Sequence, residues 1–328
     1  MKKILTIIIL NVFVLAQANT KSGAKSHSVD LLHWGRHVPI SLNGSSLITA
    51  NSFVTSKSRE VNVYNISDNQ GPSKTQRIFS PYPLPGDDFG YSLDHNDNFM
   101  VIGSPGYNDG HGSAFIFKKD EERWVFMKML TNPNIKDNKR PQKFGYNVSL
   151  NNDIITVSTP FFNDGMVHIF NINSDNLNPI HTIDVRKLGD VPGCYEEGPT
   201  KFGFGITTSI NDNHLLIGSL KDYVYLVNLA DESFNGEEIL FPLTLDDDER
   251  IRFGESVFLG KSSIYISSLG INNNRGAVFK FDQINFGLQS SIRFASSAAA
   301  KPPKTTECTT PIRAQPSIEI TASVIIGM

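Results

Sequence analysis

The feature that most constrains this chain is a segment that it writes four times. Phe89 to Leu130 opens on Phe-Gly and the alternating stretch Tyr91-Ser92-Leu93, then turns through Asp94-His95-Asn96-Asp97-Asn98. It runs on through the apolar Phe99-Met100-Val101-Ile102, closes at Gly103-Ser104-Pro105-Gly106, and adds two more apolar segments, Ala114 to Phe117 and Trp124 to Leu130. Short apolar segments separated by Gly, Pro, Asn and Asp read as strands joined by tight turns, so the stretch predicts one four-stranded antiparallel meander. Phe144-Gly145, Phe202-Gly203 and Phe253-Gly254 open three further copies, at steps of 55, 58 and 51 residues (144−89, 202−144, 253−202). A degenerate fifth copy starts at His37, where Leu47 to Asn51 stands for Val101 to Ser104 and Val61 to Tyr64 for Ala114 to Phe117. One meander cannot bury both of its faces alone, and a strand-only repeat of this length implies copies that cover one another. The expected fold is all-β, a β-propeller of four-stranded antiparallel blades with about five recognisable copies.

Each recurring position has a physical job. The second strand is an almost unbroken apolar run in every copy (Phe99–Ile102, Ile154–Val157, Leu215–Ile217, Ile264–Ile266), as expected of a sheet covered on both faces. Small residues follow it (Gly103-Ser104, Ser158-Thr159, Gly218-Ser219, Ser267-Ser268), suited to a place where neighbouring backbones converge. Glycine after the aromatic permits a backbone angle or an approach that a β-carbon would block. The Phe itself reads as an anchor between copies, because one buried aromatic contributes about 2–3 kcal/mol.

These modules resemble the FG-GAP repeats of the integrin alpha-subunit propeller. The resemblance rests on Phe-Gly-x-Ser (Phe89, Gly90, Ser92; Phe253, Gly254, Ser256), on Ile102-Gly103-Ser104-Pro105, and on endings such as Gly276-Ala277-Val278-Phe279, and it spans roughly residues 37 to 294. Two departures stand out: the family commonly closes with seven blades, and its calcium-binding copies carry an Asp-x-Asp-x-Asp-Gly loop that is largely missing here. The resemblance implies a non-catalytic adhesion or ligand-recognition module, with an extracellular protein or glycan as ligand.

Around the repeat, Met1 to Ala18 reads as a secretory signal peptide, with Lys2 and Lys3, an apolar core and the small-x-small site Ala16-Gln17-Ala18. Residues 19–30 read as a polar, mobile lead-in, 31–294 as the repeat region and 295–328 as a low-complexity tail rich in Ala, Pro, Ser and Thr. Secretion or cell-surface exposure is therefore expected, with no transmembrane span after cleavage. The net charge of −3 has both signs dispersed, so no basic stripe points to nucleic acid. Cys194 and Cys308 are free either to pair or to stay apart, and spacing does not decide between these. Asn43, Asn65 and Asn147 open sequons for glycosylation.

Candidate chemistry is sparse. Asp94-x-Asn96-x-Asn98 places alternating oxygen ligands in a tight loop, which suits calcium; the competing reading is a hairpin turn stabilised by Asx side chains. Asp246 to Glu249 reads as a solvated acidic loop. The histidines are scattered without metal-ligand spacing, and no Gly-rich phosphate loop opens a helix. Two alternatives to a recognition module remain on the sequence alone: a propeller hydrolase acting on a surface glycan or lipid, and a fragment of a longer propeller protein.

Overall fold

The structure is a computed structural model that describes residues 39–50, 60–66, 72–133, 141–162, 165–187, 203–220, 223–230, 236–240, 251–260, 262–271, 276–282 and 288–293. Residues 1–38, Phe202, Cys194, Cys308, the acidic run 246–249 and the tail 295–328 lie outside these. The described residues form five antiparallel sheets, each with its four strands in chain order. The chain divides after Gly145 into two compact units.

The first unit holds two sheets. Sheet 1 consists of β1 (Ile40–Asn43), β2 (Ser46–Ala50), β3 (Glu60–Asn65) and β4 (Ser73–Phe79). Sheet 2 consists of β5 (Ser92–His95), β6 (Phe99–Ser104), β7 (Ser113–Asp120) and β8 (Arg123–Thr131). Between them Ile48, Val61 and Val63 pack against Phe89, Met100 and Phe115.

The second unit holds three. Sheet 3 is β9 (Val148–Asn151), β10 (Ile154–Thr159), β11 (Met166–Asn171) and β12 (His181–Asp184). Sheet 4 is β13 (Thr208–Ile210), β14 (His214–Gly218), β15 (Tyr223–Asn228) and β16 (Gly236–Leu240). Sheet 5 is β17 (Phe253–Leu259), β18 (Ser263–Ser268), β19 (Ala277–Asp282) and β20 (Leu288–Arg293). Phe204 lies among Val167, Ile169 and Ile217, and Phe253 among Leu216, Val224 and Phe279, so an aromatic sits at each joint of this unit.

The joint is built the same way each time. The residue before the aromatic has a positive φ (Asp88 55°, Lys143 60°, Gly203 81°, Arg252 51°), and so does the glycine after it (Gly90 83°, Gly145 85°, Gly205 86°, Gly254 92°). These angles swing the chain from the end of one meander onto the face of the sheet before it. Phe89, Phe144, Phe204 and Phe253 are fully buried as a result. Three of them meet an aromatic of the third strand edge-on: Phe89 with Phe115 at 5.4 Å, Phe204 with Tyr225 at 5.6 Å and Phe253 with Phe279 at 5.9 Å between centroids. Edge-on contact places the positive rim of one ring on the negative face of the other.

Two sequence expectations are corrected here. In sheet 4 the pair that meets sheet 3 is Phe204-Gly205, two residues beyond the Phe202-Gly203 read from the sequence, of which Phe202 lies outside the described residues. Gly205 donates its N–H to the Gly218 carbonyl at 2.9 Å, as Gly90 does to Gly103 at 3.0 Å, while Gly203 takes the place of Asp88. The tandem Phe-Gly-Phe-Gly offers two frames, and the second puts Phe204 on sheet 3. The second correction concerns coverage on both faces. It holds for β6 and β14, where Val101 and Leu216 are buried, but β18 alternates, with Tyr265 turned to solvent between buried Ile264 and Ile266.

Candidate functional site

The Asp94 loop is organised by its own side chains. The Asn96 side-chain oxygen accepts the N–H groups of Asn98 (2.9 Å) and Phe99 (2.8 Å). Asn211 treats Asn213 and His214 identically in the next-but-one copy, at 3.0 and 2.8 Å. Asp94 accepts the Ser41 hydroxyl at 3.0 Å and the His95 N–H at 2.9 Å. The alternation of Asp94, Asn96 and Asn98 thus builds an Asx turn and a tie to sheet 1. Among the described residues there is no group of three or more His, Cys, Asp and Glu side chains placed to hold a metal.

The turns also link neighbouring sheets. Asn43 donates its amide to Asp97 at 2.8 Å, and Asn151 donates to Asp212 at 2.8 Å from the equivalent position. Of the sequon residues, Asn43 is committed to that bond. Asn147 stands just before β9, and its oxygen accepts both the N–H and the hydroxyl of Thr208, at 2.8 and 2.7 Å. Asn65 closes β3 half-buried.

One cluster has the residue types of a nucleophilic triad. Ser41 lies 2.7 Å from His95 Nδ1 and donates to Asp94, but the hydroxyl rather than the imidazole is the hub. His95 is buried, with its ring edge-on to Trp124 at 6.1 Å. Burial, reinforced by the Lys119 charge and opposed by Asp97, lowers its pKa to about 4. The Ser41 hydroxyl, not the imidazole, stands between the other two groups, which is the order of a core hydrogen-bond network and not that of a Ser-His-Asp triad. His168, in the position that Phe115 and Phe279 hold in their own copies, is likewise lowered to about 4 by burial and bonds Thr182 Oγ1 at 3.0 Å.

A cavity of about 240 Å³ opens between sheets 3 and 4 over Ile169 and Ile210. Its rim is internally satisfied, because Asn151 and Asn152 both donate to Asp212.

The feature that sequence reading missed is the connector between sheets 1 and 2, Phe79-Ser80-Pro81-Tyr82-Pro83-Leu84-Pro85-Gly86. Phe79, Tyr82 and Leu84 are 53%, 50% and 41% exposed, an apolar group within six residues. The connector is nonetheless fixed. Buried Asp87 accepts the N–H of Phe89 at 3.1 Å, its carbonyl takes the Ser104 hydroxyl at 2.6 Å, and Tyr82 rests edge-on against Phe126 at 5.7 Å. A β-carbon on Gly106 would overlap the Gly86 carbonyl oxygen, which shows how closely the two backbones approach. Three prolines limit φ along the strip, so little conformational entropy is left to lose on binding. The sequence signal was the alternation Pro-Tyr-Pro-Leu-Pro, apolar side chains on a backbone that cannot join a sheet interior.

Fold and surface together define an all-β protein of repeated four-stranded meanders with a preformed apolar connector. No protein-family model matches the chain, and no curated protein matches it.

Proposed function

We propose that the chain is a non-catalytic interaction module whose sheets are arranged around a common axis as a β-propeller, working outside the cell or at its surface, with a protein as ligand. The observation that carries this reading is the Phe79–Leu84 connector: exposed apolar side chains on a strip held from both ends. Loops positioned by a rigid scaffold are where binding residues concentrate, and aromatic side chains with few rotatable bonds are effective anchors. The repeated joint supports this reading, because the same pair of positive φ angles recurs around Phe89, Phe144, Phe204 and Phe253.

Affinity capture from the extracellular fluid of the source organism tests the ligand reading. The wild-type chain is expected to retain a defined protein that the double variant Tyr82→Ser, Leu84→Ser loses while keeping its melting temperature. Identical capture by both would contradict it. Small-angle scattering tests the axial arrangement separately: a closed body of residues 37–294 has a radius of gyration of about 18 Å, and an extended row of sheets a larger one.

A further inference from the structure

We propose that Asn43 is a site of spontaneous covalent modification: its side chain closes on the backbone nitrogen of Gly44, loses ammonia and becomes aspartate or isoaspartate, which undoes the tie between the turns of sheets 1 and 2. Asn43 ends β1, and Gly44-Ser45 is the two-residue turn that leads to β2, with Asn43 paired to Ser46. Gly44 and Ser45 are exposed, so water reaches the turn. A β-carbon on Gly44 would meet nothing within 4 Å, so this residue has open surroundings. Among the described residues no backbone carbonyl takes the Gly44 N–H, and without a β-carbon of its own the glycine leaves that nitrogen unhindered.

Sheet 3 repeats this turn with one difference. Asn151 ends β9, pairs with Ile154 across a two-residue turn, and donates its amide to Asp212 at 2.8 Å, as Asn43 does to Asp97 at 2.8 Å. Asn152 holds the place of Gly44, at φ 52° against 57°. The two turns share their length, their first φ and their tie to the next sheet. What distinguishes them for this chemistry is the side chain after the asparagine, which shields the nitrogen in sheet 3 and is absent in sheet 1.

The reaction needs only water. The Gly44 nitrogen bonds to the side-chain carbonyl carbon of Asn43 and gives up its proton; the carbon–nitrogen bond of the amide breaks, and ammonia leaves with that proton. Water then adds to either carbonyl carbon of the cyclic imide and opens it, to aspartate or, with the main chain rerouted through the side-chain carbon, to isoaspartate. The bond to Asp97 lies at the surface, so ordinary side-chain motion releases the amide from it and sets the pace of the reaction. Afterwards the donor is gone and a carboxylate faces the carboxylate of Asp97, where like charges repel. Isoaspartate also adds a main-chain carbon beside the pairing of Asn43 with Ser46. The inference does not depend on the ligand of the Phe79–Leu84 connector.

The test incubates the folded full chain in mildly alkaline buffer, digests samples over time and maps the peptides by mass and by isoaspartate content. Asn43 is expected to convert about tenfold or more faster than Asn151, equivalent to ~1.4 kcal/mol of activation free energy. Mapping separates it from the sequence's other Asn-Gly, Asn235-Gly236, of which Asn235 lies outside the described residues. Gly44→Ala, for which the turn has room, is expected to slow Asn43 to the pace of Asn151. Asn43→Asp, which reproduces the aspartate product, is expected to lower the melting temperature, and Asp97→Asn added to it to restore the value. An intact Asn43, equal rates at Asn43 and Asn151, or a Gly44→Ala chain that reacts as fast as the wild type overturns the site. No loss in Asn43→Asp, or a loss that Asp97→Asn leaves in place, overturns its consequence for the tie.

Discussion

Gly218 lies so close to the carbonyl oxygen of Gly254 that a β-carbon on Gly218 would occupy the oxygen's place, and Gly103 stands in the same relation to Gly145. Two glycines from consecutive modules thus meet backbone to backbone. The aromatic one residue earlier enters the core only because this approach is possible.

Gly254→Ala is expected to be among the most destabilising single-methyl additions in the chain. A side chain at φ 92° is strained, and its β-carbon would sit 2.6 Å from Val224 Cγ2. Together these effects cost about 2–5 kcal/mol. Gly44→Ala is the control: φ is 57°, nothing lies within 4 Å, and the cost falls to about 1 kcal/mol. Urea unfolding midpoints of the two variants check the contrast.

Phe204→Ala removes a fully buried ring that meets Tyr225 edge-on, so a loss of about 3–5 kcal/mol is expected. Phe204→Leu keeps most of the apolar volume and should lose less than half of that. Equal effects of the two substitutions would show that Phe204 is not at the joint.

Stability should fall with pH in a defined window. His95 and His168 are held at about 4 by burial, below the ordinary 6.5, so the folded state resists taking up protons that the unfolded chain accepts. Their neutral forms cost nothing above pH 6.5. Below it each site loses about 1.4 kcal/mol per pH unit until the folded-state value near 4 is reached. His168→Phe, which restores the aromatic found at Phe115 and Phe279, is expected to remove about half of this slope in unfolding measurements between pH 7 and 4.

Calcium is expected to leave the melting temperature where it is, because the Asn96 oxygen already accepts two backbone N–H groups and Asp94 accepts the Ser41 hydroxyl. Thermal melts with millimolar calcium and with chelator provide the check. A calcium-dependent rise would restore the metal reading of Asp94, Asn96 and Asn98.

Much of this architecture was legible in the sequence because it is written repeatedly. Phe89-Gly90, Phe144-Gly145 and Phe253-Gly254 announce three joints, and the apolar runs after them announce the second strands. The joint between sheets 3 and 4 was misplaced by two residues, since Phe-Gly-Phe-Gly satisfies the pattern in either frame and contact with Val167 and Ser158 selects Phe204-Gly205. The solvent side of β18 was hidden for a related reason: Ile264-Tyr265-Ile266 is as apolar as the covered runs, and coverage depends on what lies opposite. The Phe79–Leu84 strip fell between modules, where periodicity carries no information. Asn96 shows the converse, because oxygen ligands spaced for a cation are also spaced for the turn they build.

The most direct test of the repeated joint is a double-mutant cycle on Gly254→Ala and Val224→Ala, read by urea unfolding. The φ penalty at residue 254 is present with either residue at 224 and cancels in the cycle, leaving the overlap between sheets 4 and 5. Removing the Val224 methyls should rescue part of the Gly254→Ala loss, with a coupling of about 1 kcal/mol or more. Additivity within about 0.3–0.5 kcal/mol would mean that the two residues do not meet, and would contradict the joint on which the fold is built.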